Sequence, residues 1–259
     1  MAADRAFVGV SALLFAASVA ATIAWCAAMA AMGGMPMPGG WMMSMAWMRM
    51  PGQTWPGAAV SFLSMWVPMM MAMMLPSLVP ALVRYRQAVA RTGETRPGRL
   101  TALAGAGYFF VWTVFGAAAF PLGVALAAIE MQHPAVARAV PSAAGVVVLT
   151  AGAVQFTAWK ARHLGCSRRA AVSGRTLPAD AGTAWRHGLR LGLHCSYCCA
   201  GPMAILLVTG VMDLRVMVVV AAAVTVERLA PAGERAARAI GSFAVGAGVL
   251  LIARGAGLG

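Results

Sequence analysis

Seven long apolar runs fix what this chain can become. They lie at about 6–32, 58–83, 100–129, 141–160, 188–211, 214–231 and 236–254. As helices, such runs reach across the ~30 Å of hydrocarbon in a bilayer. A spanning segment must satisfy every backbone polar group internally, which leaves helices or a closed barrel. Barrel strands read as short stretches alternating apolar and polar residues, and these runs are long and continuous. The expected fold is therefore all-α: a polytopic transmembrane helix bundle of about seven spans, forming one membrane domain over 1–259. Composition agrees, with 61% hydrophobic and 10% charged residues, against about a quarter charged in soluble domains. The first run is longer than a secretory signal core and no sharp cleavage site follows it, so we read it as a retained span.

The net charge is +13, but the arginines stand in short loops between apolar runs. That placement is the positive-inside pattern and not a nucleic-acid footprint. Segments 84–99 and 160–187 are strongly basic and are expected to be cytoplasmic. Segment 33–57 carries one basic residue, Arg49, and is expected outside. The amino terminus is then inside and the carboxyl terminus outside, in a bacterial cytoplasmic (inner) membrane.

Three of the five cysteines and one of the four histidines fall within "HCSYCC". Cys195, Cys198 and Cys199 stand three and four residues apart, so a helix puts them on one face, with His194 at its edge. Thiolate and imidazole suit Cu(I), zinc and some iron centres. Upstream, His163 and Cys166 form a further three-residue pair on the same expected side. A reducing cytoplasm keeps thiols free for metal. A Cys-x-x-Cys dithiol with redox chemistry is the alternative. Isolated cysteines such as Cys26 read as small buried hydrophobes.

Fifteen of the twenty methionines lie between Met29 and Met74. The stretch "MGGMPMPGGWMMSMAWMRMPG" is punctuated by glycine and proline, so we expect a mobile outer loop with exposed thioethers, anchored by Trp41, Trp47 and Trp55. In the second run, Met65, Met69 and Met73 repeat every four residues, as do Met70 and Met74. This makes a thioether stripe, in a helix loosened by Pro68 and Pro76. A flexible packing or lipid-facing surface is the alternative. Thioethers favour Cu(I) over zinc, magnesium or calcium. A route follows: thioethers outside, thioethers in mid-membrane, thiolates inside. Glu227 and Asp213 lie near interfaces, where Arg228 and Arg215 are the expected partners. Glu227 is a candidate ligand, proton acceptor or ion-pair partner.

The segments "AGAVQFTAWKARHLGC", "HGLRLGLHCSYCCAGPMAILLVTGVMDLRVM" and "VERLAP" resemble a family of bacterial predicted metal-binding integral membrane proteins, sometimes labelled copper chaperones. The likeness extends to "MWVPMMMAMMLPSLVP" and "GYFFVWTVFG" and runs from about Met65 onward. It implies ligand roles for Cys195, Cys198, Cys199, Met212 and Glu227. The family's usual Lys-x-x-Cys-Leu-x-x-Cys is altered here: Lys160 and Leu164 fit, His163 replaces the first cysteine, and Cys166 falls one residue short of the second. Leu191 stands where a histidine is common, and His194 replaces a usual tyrosine. The resemblance also hints at a small soluble cytosolic partner.

Taken together, the sequence predicts a membrane protein that binds copper as Cu(I) and moves or delivers it. Zinc and iron are the alternative metals. A membrane metalloenzyme or thiol oxidoreductase, and an assembly subunit within a larger membrane complex carrying a stabilising metal, are the alternative functions. Lipid and metal ion are the expected partners. No serine triad, phosphate loop or paired carboxylate site is present to support hydrolysis or nucleotide-driven pumping.

Overall fold

The computed structural model describes residues 2–94, 96–170 and 180–256; the side chains of 2–4 and 165–170 lie outside that description. Among the described residues eight helices follow one another: α1 (Ala2–Met32), α2 (Trp55–Ala90), α3 (Pro97–Gln132), α4 (Pro134–Val154), α5 (Ala158–Ala170), α6 (Ala181–Thr209), α7 (Leu214–Leu229) and α8 (Gly233–Gly255). Six of them, all but α5 and α7, are long and apolar enough to cross a membrane. The expected segment 214–231 becomes α7, whose sixteen residues give about 24 Å of helix. The expected run 141–160 divides: α4 ends at Val154, and a turn at Gln155–Thr157 redirects the chain into α5.

Side-chain caps explain several helix starts. Thr54 accepts from Gly57 N, Asp213 accepts from Arg215 N and Val216 N, and Asp180 accepts from Thr183 N. These bonds satisfy donors that a helix leaves open in its first turn. Hydrogen bonds from Thr183 also hold the Asp180 carboxyl below the ordinary aspartate range.

Small residues set the helix contacts. A Cβ on Gly188 would lie 2.1 Å from Ala104 O, and one on Gly107 would lie 2.7 Å from Trp185 O. α3 and α6 therefore touch backbone to backbone, as small residues allow in lipid. α4 and α8 pair antiparallel in the same way through Gly145, Gly152, Gly241 and Gly248. Bringing α6 this close to α3 is what presents the cysteine face of α6 to Tyr108.

The main core joins α2, α3, α6 and α7. Trp66, Tyr108 and Trp112 are fully enclosed in it, and Trp66 Nε1 donates to Trp112 O at 2.9 Å. Met65, Met69, Met70, Met73 and Met74 are buried in the same cluster as Cys195, Cys198 and Cys199. The methionine stripe faces protein and not lipid.

The 33–57 segment departs from expectation. It is no open loop: β1 (Met35–Met37) and β2 (Trp41–Met43) form an antiparallel hairpin, followed by a short 3-10 turn at Met45–Trp47. Met37 and Met43 are buried, while Met42 is exposed. Two residues do this locally: Gly39 (φ +103°) and Gly40 (φ +75°) adopt the left-handed conformations the tight turn needs. Tertiary contact does the rest, with Trp41 Nε1 donating to Ala137 O at 2.8 Å.

Candidate metal centre

Cys195 is the focus of the site. It is completely buried at the middle of α6, and four groups from four helices meet its sulfur. Cys199 Sγ, one turn along α6, lies 3.6 Å away, and Met74 Sδ of α2 lies 3.9 Å away. Tyr108 of α3 donates its hydroxyl to Cys195 Sγ at 2.9 Å. Arg228 of α7 donates Nη1 to the same sulfur at 3.0 Å. The four-residue spacing on α6 stacks the two thiols, and the matching periodicity on α2 brings Met74 to their level.

Arg228 is held in place from the other side. Its Nη1 also donates to Ser77 Oγ at 2.9 Å and lies 3.5 Å from the Tyr108 oxygen. Ser77 in turn donates to Met74 O at 3.0 Å. Among the described residues no carboxylate pairs with Arg228. In a low-dielectric interior an arginine needs a counter-charge, and Cys195, once ionised, would supply one at 3.0 Å.

Glu227, the neighbour of Arg228, turns to another partner. Its Oε2 forms an ion pair with Lys160 Nζ of α5 at 2.6 Å, and its Oε1 accepts from Gln155 Nε2 at 2.9 Å. The expected pairing of Glu227 with Arg228 is thus corrected. The two residues leave α7 in different directions, and the lysine that looked like the end of a span reaches back into the core. Lys160 Nζ also donates to Cys198 O at 2.5 Å. That carbonyl is available because residue 202 is proline. A helix would send the N–H of residue 202 to the carbonyl of 198, and proline has none. Lys160 fills the gap, as partners from neighbouring segments do around prolines in membrane helices.

The remaining sequence-derived candidates are distributed around this centre. Cys198 is buried beside it, its carbonyl engaged by Lys160. His194 is half-buried, with Nδ1 enclosed and without a hydrogen-bond partner. His163 packs in tilted contact against Trp159 at 4.5 Å and against Tyr197 at 5.6 Å, centroid to centroid. Tyr197 lies on the exposed side of α6, so the imidazole sits on the face away from the buried thiols. The reason is the rotation of α5, which buries Lys160 and Leu164, a four-residue pair, and leaves His163 beside that face. The side chain of Cys166 lies outside the described residues. Met65, Met69, Met70 and Met73 are buried along α2 in the core cluster, and Met212 packs at its edge just beyond α6. Among the described residues, no three histidine, cysteine, aspartate or glutamate side chains converge as a metal-ligand group. What does converge is sulfur from two helices, with thioether included.

Tyr108, Ser77 and Gln155 are not among the sequence-derived candidates, and Arg228 is expected there only as a partner of Glu227. Two of them carried a signal: Tyr108 stands in "GYFFVW" and Arg228 in "VERLAP", both polar residues inside apolar text.

A family model described as a copper chaperone, PpoB2, matches residues 63–251. The match takes in α3, α4, α5, α6 and α7 whole and all but the ends of α2 and α8. The chain belongs to the PpoB2 copper chaperone family. No curated protein and no solved structure matches the chain. Every side chain of the centre described above falls within the PpoB2 match; the hairpin and α1 fall outside it.

Proposed function

We propose that this chain is a copper carrier of a bacterial cytoplasmic membrane. It holds Cu(I) at Cys195 and Cys199 with Met74 as the third sulfur, and delivers it on the side of the basic segments. In this reading the amino terminus is cytoplasmic, the carboxyl terminus is outside, and α7 completes a seventh crossing.

The observation that carries the reading is the sulfur spacing. A three-coordinate ion with metal–sulfur bonds of about 2.3 Å, the length of a zinc–thiolate bond, separates its ligands by about 4 Å. The sulfurs here stand 3.6 and 3.9 Å from Cys195. Thiolates suit Cu(I), zinc and iron centres alike, and a thioether as the third donor favours Cu(I) among them.

Charge supports the monovalent ion. Two thiolates, one Cu(I) and the Arg228 guanidinium sum to zero. A divalent zinc ion in the same shell leaves one positive charge in a buried site, which is costly. The Lys160–Glu227 pair is neutral by itself and does not change the count. Thiolate binds Cu(I) more strongly than thioether, so the buried methionines of α2 offer weaker positions leading to a stronger one. Cys198 and His194 flank the centre as the next ligands during transfer to a cytosolic acceptor.

Elemental analysis of purified full-length protein tests the proposal. One copper per chain is expected at the centre in the wild type, and its loss in Cys195→Ser/Cys199→Ser. Wild-type copper content in that double variant, or zinc in place of copper in the wild type, overturns it.

A further inference from the structure

The hairpin between α1 and α2 gathers a second set of thioethers, far along the chain from the cysteines. Its register pairs Met35 with Met43 and Met37 with Trp41. Residues two apart on a strand share a face, and directly opposed residues share it too. Met35, Met37, Trp41 and Met43 therefore occupy one face of the ribbon. That face turns inward: Met43 is 1% exposed and Met37 9%, whereas Met42 on the other face is 60% exposed. Met48 and Trp47 close the cluster, which rests on Ala127 of α3 and Ala137 of α4.

This choice of residues is not what a ribbon needs merely to pack. Strands favour β-branched and aromatic side chains. Here four of the six strand residues are methionine. The two indoles are fixed by the fold. Trp41 is tied to Ala137 O. Trp47 sits over Gly123, where an added Cβ would come within 2.2 Å of its ring. A ring face attracts a cation that comes close to it, so aromatic walls around neutral sulfur ligands suit a soft monovalent ion.

The position links this cluster to the other sulfurs. Trp47 packs in tilted contact against Phe62 of α2 at 5.3 Å, and Met65 follows Phe62 by three residues on the same buried face. The hairpin lies at the α3–α4 junction, at the opposite end of α3 from its start at Pro97.

We propose that the inward face of the hairpin is a second soft-cation site, in which the thioethers of Met35, Met37 and Met43, with Met48 at the edge, take one Cu(I) or Ag(I) ion under the rings of Trp41 and Trp47. The site rests on the copper reading above and gives that cargo its point of entry. Thioethers neither form disulfides nor need to lose a proton, so such a site works in an oxidising compartment where free thiols do not persist.

The test uses full-length protein in detergent and Ag(I) alone, with silver counted after desalting. The Cys195→Ser/Cys199→Ser variant is expected to keep one silver per chain, and adding Met35→Leu/Met43→Leu to it is expected to remove that ion. Leucine keeps the apolar volume, and helix content by circular dichroism checks the fold. On the wild-type background, Met35→Leu/Met43→Leu should lose one equivalent and retain the cysteine-bound one. Methionine ε-methyl NMR of the double serine variant gives a readout that needs no hairpin substitution: the Met35, Met37 and Met43 signals should move on adding one equivalent. Silver retained by the quadruple variant, or hairpin methyl signals that stay fixed, overturns the site. If the serine pair removes no silver from the wild type, the inner centre fails instead, and the methyl signals still decide the hairpin.

Discussion

Arg228 on α7 points its guanidinium at Cys195 on α6, 3.0 Å from the sulfur, and not at the glutamate beside it in sequence. This places a fixed positive charge against the thiol that stands nearest to both another thiol and a thioether. The charge, and not a further ligand, distinguishes Cys195 from its neighbours. It also divides the polar core into two circuits, one through Arg228, Tyr108 and Ser77, the other through Glu227, Lys160 and Gln155.

Arg228→Met should weaken Cu(I) binding by about 10- to 100-fold, the usual effect of losing a group that supports a metal ligand. Arg228→Lys should recover part of that loss, since it keeps the charge but not the planar fork. Competition against a Cu(I)-specific chelator measures both. Equal affinity for all three proteins would show that the guanidinium has no part in holding the ion.

Met74→Leu separates ligand from filler. It preserves apolar volume, so the stability cost should stay below about 1.5 kcal/mol. Cu(I) affinity should nevertheless fall, by about 10-fold or more if the thioether contributes at least ~1.4 kcal/mol. A leucine variant that binds as the wild type does would return Met74 to the role of packing residue.

Lys160→Met removes the lysine half of a buried ion pair with Glu227, and the expected cost is about 3–5 kcal/mol. Replacing both, as Lys160→Met/Glu227→Leu, should restore most of it, because an apolar pair carries no desolvation penalty. Thermal unfolding in one detergent compares the wild type with the two variants. A double variant no more stable than the single would mean that the pair holds α5 by something other than compensated charge.

Gly188→Ala and Gly246→Ala form a matched pair. The first forces a methyl to 2.1 Å from Ala104 O, while the second meets nothing within 4 Å. Overpacking at 188 should cost about 1–3 kcal/mol and should lower copper affinity by parting Tyr108 from Cys195. Alanine at 246 should be neutral or stabilise α8 by up to about 1 kcal/mol. Similar effects at both sites would remove the α3–α6 contact as the element that builds the centre.

Helices and their sulfur content were legible in the sequence because both depend on local spacing. The apolar runs give the long helices, and the four-residue interval gives the Cys195–Cys199 contact. Residues brought from elsewhere were harder to read. Nothing in the order Glu227-Arg228 says that the carboxylate will face α5 and the guanidinium α6; packing against Lys160 and Ser77 decides it. The place of His163 beside Trp159 and Tyr197 is not legible in the sequence, because chain proximity carries no information on how α5 rotates about its axis. The hairpin was read as an open loop because its glycines and prolines are turn signals, whereas the contact that folds it, Trp41 to Ala137, spans 96 residues.

Pro202 has a consequence for any survey of this protein by substitution. The atom that Lys160 grips at position 198 belongs to the main chain, so serine, alanine or valine there would leave the grip intact while deleting the thiol. Serine, close to cysteine in size, is therefore the change at 198 that tests the thiol with least disturbance to the buried core around it. The anchorage of α5 is governed from four residues downstream, by an imino acid whose missing N–H leaves the carbonyl of 198 open to Lys160.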